Sequence, residues 1–98
     1  MQIQDHPARH RFEATEGHDV AFAAYILETD TIIFTHTIVP ETMQGHGVAT
    51  ALIRAALAAA RTRSLHVTPR CPFFLAYMKK HHDDDDLLSP EGRTLVMS

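Results

Sequence analysis

The reading of this chain turns on Gln44-Gly45-His46-Gly47-Val48-Ala49. Before it, Thr31 to Val39 is rich in Ile, Thr, Val and Phe, the composition of a strand. After it, Val48 to Arg63 is rich in Ala and Leu and lacks Gly and Pro, the composition of a helix. Gly45 and Gly47 let the backbone adopt positive φ and come close to a ligand. The first turn of a helix leaves its N–H groups unpaired, and the helix dipole adds partial positive charge there. Strand, glycine turn and helix start together form an anion site suited to phosphate. The alternative is a glycine loop chosen only for its tight turn.

On the C-terminal side, Ala49, Leu52, Ile53, Ala56, Leu57 and Ala60 fall on one helical arc, with Thr50, Arg54 and Arg61 on the other. Ser64 to Thr68 is short and β-branched and reads as a strand. Strand, helix and strand imply a right-handed parallel unit, with ligands expected beyond the strand ends near Val39 and Pro69. Pro72 opens a second helix running to about His82, and the carboxylates Asp83 to Asp86 end it. Leu87 and Leu88 are expected to dock back onto the sheet, and Ser89 to Ser98 gives no clear reading.

On the N-terminal side, residues 1–8 are polar and are expected to fray. Arg9 to Ala14 reads as a short edge strand, Thr15 to Asp19 as a turn and Val20 to Glu28 as a second strand. Thr29-Asp30 turns the chain into the strand before the glycines. Such short connections favour an antiparallel meander.

Ninety-eight residues suggest one domain. Apolar residues at 45% and charged residues at 21% are ordinary for a globular chain. A formal charge of −3 argues against a nucleic-acid surface. No apolar run approaches a membrane span, and MQIQDHPARHRF lacks the apolar core of a signal peptide. A lone cysteine excludes an internal disulfide framework and fits the cytoplasm. The eight histidines show no zinc-ligand spacing, so no metal is expected.

Gln44-x-x-Gly47-x-Ala49 resembles the Q/R-x-x-G-x-G/A acetyl-coenzyme A signature of the GNAT N-acetyltransferase superfamily. His36-Thr37, Val39-Pro40, Ala60-Arg61, Pro69-x-Cys71-Pro72, Tyr77 and His81 add to the match. Together they resemble the small single-domain GNAT-like family (YjdJ-type) over residues 10–88. The resemblance implies an α+β GNAT-like (acyl-CoA N-acyltransferase) fold: an antiparallel three-stranded meander, a βαβ unit and a C-terminal helix. It would occupy residues 1–98 as one domain, with 1–8 and 89–98 flexible.

Acetyl transfer from a thioester needs a held cofactor, a deprotonated amine, donors for the oxyanion and an acid for the thiolate. On the resemblance, Gln44, Gly45, His46, Gly47, Val48 and Ala49 hold acetyl-CoA, while Ile38 and Val39 bond its pantetheine arm through their backbones. The catalytic candidates are Cys71, His36 and Tyr77. Cys71 stands where a strand gives way to a helix, a place that favours thiolate. The resemblance implies a functional cysteine there, accepting the acetyl group or lining the thioester pocket; a buried small hydrophobe is the other reading. His36 lies mid-strand, facing either side of the sheet, as a proton acceptor or a structural partner of a threonine. Tyr77 resembles the tyrosine that protonates the coenzyme sulfur, or else packs in the core with its hydroxyl at the rim.

Two functions follow. One is acetyl transfer from acetyl-CoA to a small-molecule or protein amine, by a monomer or weak homodimer that binds neither nucleic acid nor membrane. The other is a non-catalytic CoA or acyl-CoA-binding module, acting as a sensor or protein partner. The absence of a well-placed glutamate base, with Glu28 and Glu41 the nearest, keeps the second open.

Overall fold

The computed structural model describes residues 1–98. Five strands form one sheet in the order β1 (Gln2–His6), β2 (Arg11–Glu16), β3 (Asp19–Leu27), β4 (Thr31–Ile38) and β5 (His66–Pro69). The first four run antiparallel, and β5 pairs parallel with β4. Between β4 and β5 comes α1 (Val48–Thr62); α2 (Pro72–Lys80) and α3 (Pro90–Met97) follow. This is an α+β architecture, an antiparallel meander followed by a βαβ unit, as the resemblance implies.

The periodicities explain the packing. Alternate residues of β3 (Ala21, Ala23 and Tyr25) join Phe12, Ala14, Ile32 and Phe34 under Leu52, Ile53, Ala56, Leu57 and Ala60 of α1. Phe74 and Met78 of α2 complete the layer, with Phe74 stacked on Phe34 at a centroid distance of 4.0 Å. Burying a side chain of this size contributes about 1.5–3 kcal/mol, so this ring pair is a main anchor of α2. The opposite face of the sheet leaves Val20, Ile26, His36 and Ile38 exposed.

Four expectations are corrected. The N-terminal segment does not fray as expected: Gln2 to His6 form β1, because Ile3 packs against the core and the Tyr25 hydroxyl donates to Asp5 at 2.7 Å. With β1 outside it, β2 is an inner strand and not an edge. The C-terminal stretch 89–98, expected to be flexible, instead holds α3. Ser89 caps this helix by accepting the Gly92 N–H at 3.0 Å. Its own N–H reaches the Val67 carbonyl at 2.9 Å, and Leu88 bridges Val67, so the docking expected of Leu87 and Leu88 covers the β5 edge. A Cβ on Gly92 would lie 2.6 Å from the Val67 carbonyl oxygen, an approach only glycine allows. Finally, α2 stops at Lys80, two residues before His82, where His81 turns extended.

One irregularity directs side chains at the site. The β3–β4 register slips between Ala24, paired with His36, and Tyr25, paired with Phe34, which leaves Thr35 as an extra residue. Such a bulge inverts the alternation of faces beyond it. Phe34 and Thr37 therefore both face the helices, although three apart, and His36 faces the uncovered side. No helix of the chain is long and apolar enough to cross a membrane.

Candidate functional site: the glycine turn and the groove between two helices

Gly45 and Gly47 adopt φ of +80° and +72°, and Gly47 is the residue from which α1 springs. A Cβ at either position would meet nothing within 4 Å. Backbone conformation, not crowding, demands glycine here. No side chain caps α1, whose first backbone bond runs from Ala51 N–H to the Gly47 carbonyl. The amides of Val48, Ala49 and Thr50 come before that bond and have no helical acceptor, and the dipole of a fifteen-residue helix reinforces them.

Gln44 is exposed but tethered. Its side-chain amide donates to the Val39 carbonyl at 3.1 Å, tying the end of β4 to the glycine turn. His46 is exposed on the turn. Strand β4 is last paired with β5 at Phe34 and Pro69; beyond that, Cys71 N–H donates to the Phe34 carbonyl at 2.8 Å and the chain enters α2. Ile38, the last residue of β4, and Val39 just beyond it thus have no partner in β5. Ile38 is half-exposed, and Val39 packs against the core.

Beside the turn is a groove of about 240 Å³. Its α1 wall is Ala49, Thr50 and Ile53, and its α2 wall is Phe73, Ala76, Tyr77, Lys80 and His81. Tyr77 stacks obliquely on His81 with centroids 4.5 Å apart. The Arg54 Nε–H donates to the Tyr77 hydroxyl oxygen at 3.4 Å. Because the oxygen accepts from Arg54, the phenolic proton is free for another acceptor.

Cys71 is fully buried and sits immediately before α2, with its Sγ 3.2 Å from the Thr37 hydroxyl. It belongs to the core and is not part of the groove wall. His36 is exposed on the far face, edge-on to Phe22 at 5.9 Å, with Nδ1 3.1 Å from the Thr35 hydroxyl. The fold therefore brings the glycine turn and Tyr77 to one groove and sets Thr37 beside Cys71, with His36 apart from both. Arg54 and Thr37 were not singled out for the site from sequence. Arg54 has a legible signal, since it lies one helical turn after Thr50 on the same face of α1. Thr37 has none, because only the bulge turns it inward. No group of three or more His, Cys, Asp and Glu converges as a metal site would require.

In the parallel β4–α1–β5 unit the helix starts uncapped behind two glycines, the kind of helix start at which anions bind in other proteins. Residues 11–87 match the profile of the family described as GCN5-related N-acetyl-transferase, and the chain belongs to that family. Membership assigns it acetyltransferase chemistry in general. A search of curated protein sequences finds no match.

Proposed function

We propose that the protein is an acetyl-CoA-dependent N-acetyltransferase that transfers acetyl to an amine, as a small molecule or on a protein. The observation that carries this is the uncapped start of α1 behind Gly45 and Gly47, opening onto the Tyr77 groove. The amides of Val48, Ala49 and Thr50 would bind the coenzyme pyrophosphate, joined by the turn residues Gln44 to Gly47. The coenzyme would supply the activated acetyl thioester. Backbone groups of Ile38 and Val39, past the last pairing with β5, would hold the pantetheine arm. Tyr77, its oxygen already accepting from Arg54, would deliver its proton to the departing thiolate.

Two roles depend on approach. His36 can take a proton from the amine only if the acceptor comes from the uncovered face, where the imidazole is exposed. Cys71 can accept acetyl only if the start of α2 moves, because the thiol has no solvent exposure. Otherwise it packs with Thr37 at the foot of β4. Cytoplasmic residence and the exclusion of nucleic acid and membrane partners belong to the same reading.

The second reading is a CoA-binding module without turnover. It is favoured by the separation of His36 from the groove and the burial of Cys71. Free-thiol release from acetyl-CoA in the presence of pooled amines and peptides separates the two. Acceptor-dependent release supports the enzyme; tight binding with none supports the module. Brief incubation with acetyl-CoA followed by peptide mapping tests Cys71. An acetyl increment on Cys71, lost in Cys71→Ser, supports covalent transfer; turnover without it supports direct attack.

A further inference from the structure

Around Tyr77 the groove holds positive charge that no carboxylate of the chain answers. Arg9 and Arg11 pair with Glu13, Arg61 with Asp84 and Asp86, Arg63 with Asp5, and Arg70 with Glu91. Lys79 reaches the Ser98 carbonyl, and Arg93 belongs to α3, outside the groove wall. Two cations remain, and both flank Tyr77. Lys80 lines the groove about one helical turn after it, and Arg54 donates to its hydroxyl. His81 lies against the same ring. The polar lining is Thr50, Tyr77, Lys80 and His81, with no Asp or Glu among the walls. The carboxylates next in sequence have other partners: Asp84 and Asp86 meet Arg61, and Asp85 meets His82. Unanswered cations around one cavity draw an anion from outside.

We infer that the amine acceptor also carries a carboxylate, which Lys80 and Arg54 receive beside the thioester. This rests on the acetyl-CoA reading above, in which the coenzyme sulfur meets Tyr77. That end of the coenzyme, a thioester on a chain of amides, is neutral, so it leaves the charges flanking Tyr77 unanswered. The other reactant comes to the same place, because its nitrogen bonds to the thioester carbonyl carbon. The carbon–sulfur bond then breaks and the Tyr77 proton goes to sulfur. The amine gives up its proton to water, from which Tyr77 is restored. An acceptor with a carboxylate a few bonds from its nitrogen would set that group against Lys80 while the nitrogen faces the thioester. Lys80 meets it as a mobile point charge, and Arg54 offers the guanidinium N–H groups that Tyr77 does not use. A groove of about 240 Å³, below the usual size of a small-molecule pocket, suits a short acceptor of this kind. The opposite class fits poorly. A polyamine or a lysine-rich peptide brings cations to a cavity with no carboxylate to hold them.

The test is free-thiol release from acetyl-CoA by the full chain with three matched sets of acceptors. These are glycine, β-alanine and 4-aminobutyrate, their carboxamides, and the diamines of the same lengths. At low salt the best carboxylate should show a kcat/KM about fivefold above its carboxamide, the size of an exposed charge pair, with the diamine below both. Salt at about 1 M should erase the preference. Lys80→Met should cut it to about twofold. Lys79→Met is the control: the Lys79 amine meets the Ser98 carbonyl at 3.4 Å, outside the groove wall, and its loss should leave the ratio intact. Far-ultraviolet dichroism confirms that each variant is folded. Equal rates for carboxylate and carboxamide, or a preference for the diamine, overturn this inference and leave the acetyltransferase reading standing. An equal loss on all three sets in Lys80→Met does the same, since Lys80 then acts on the coenzyme. No release with any of the three sets also overturns it. Release with the pooled amines and peptides of the earlier test then keeps the acetyltransferase reading, and none there removes both.

Discussion

Glu13 is 5% exposed, yet it is charged. Burial alone would raise its carboxyl. Donors from Arg11 at 2.7 Å and from Arg9 at 3.0 and 3.1 Å, with His6 at 3.2 Å, instead hold it below the usual carboxylate value of 4.5. A lowered native value means that this carboxylate stabilises the fold fully above the unfolded value. The contribution is lost as pH falls through the native one. Urea denaturation should therefore show stability declining below about pH 4.5, with a shallower acid slope in Glu13→Gln. The substitution itself should lower stability at pH 7 by about 1–3 kcal/mol, since it replaces the buried charged acceptor of the half-buried Arg11 and the exposed Arg9 by a neutral amide. An unchanged acid slope in Glu13→Gln would show that other carboxylates set it. At the glycine turn, Gly47→Val should weaken coenzyme A binding at least tenfold. Ala58→Val, on the exposed face of α1, should leave it near native. Valine at φ +72° is strained, and its side chain would stand where the ligand is expected. Comparable losses in titration calorimetry would make the turn merely structural.

At the scale of elements, α3 depends on two small residues. Ser89→Ala removes the Gly92 cap and the hydroxyl partner of Thr68, and should lower stability by about 1–2 kcal/mol. Gly92→Ala should cost about 1–3 kcal/mol, because the new Cβ meets backbone that cannot yield easily. Both are read from shifts in the denaturation midpoint at constant slope, and a neutral Gly92→Ala would mean that α3 does not seat on Val67. The elements from β3 to α2 were legible in sequence because their signals agree. β4 has β-branched residues, α1 has helical periodicity without breakers, and Pro72 marks the start of α2. By contrast, QIQDH offers one apolar residue, Ile3, so β1 declares itself only through Asp5 meeting Tyr25 and Ile3 meeting the core. α3 is eight residues long with a glycine inside it, below what periodicity resolves. The glycine turn and Tyr77 were found because local motifs carry them. The side chosen by His36 and the choice between the two readings of Cys71 were not, because they depend on the slipped register at Thr35 and on the seating of α2.

For the molecule as a whole, ligand linkage gives the broadest test. Acetyl-CoA at about 100 times its dissociation constant should raise folding stability by about 2.7 kcal/mol, seen as a higher thermal midpoint. No shift at millimolar acetyl-CoA would remove the cofactor from the reading. The rims of the sheet carry a different consequence. Leu88 bridges Val67, and the following segment with α3 covers the outer side of β5, while the outer side of β1 is open. Unpaired strand rims are where folded chains stack into fibrils. Open-ended growth needs two such rims per copy, one to receive and one to pass on, and this sheet has only one free. Rim-to-rim pairing through β1 is therefore spent after a single partner, so the tail that closes β5 acts as a terminator against polymerisation.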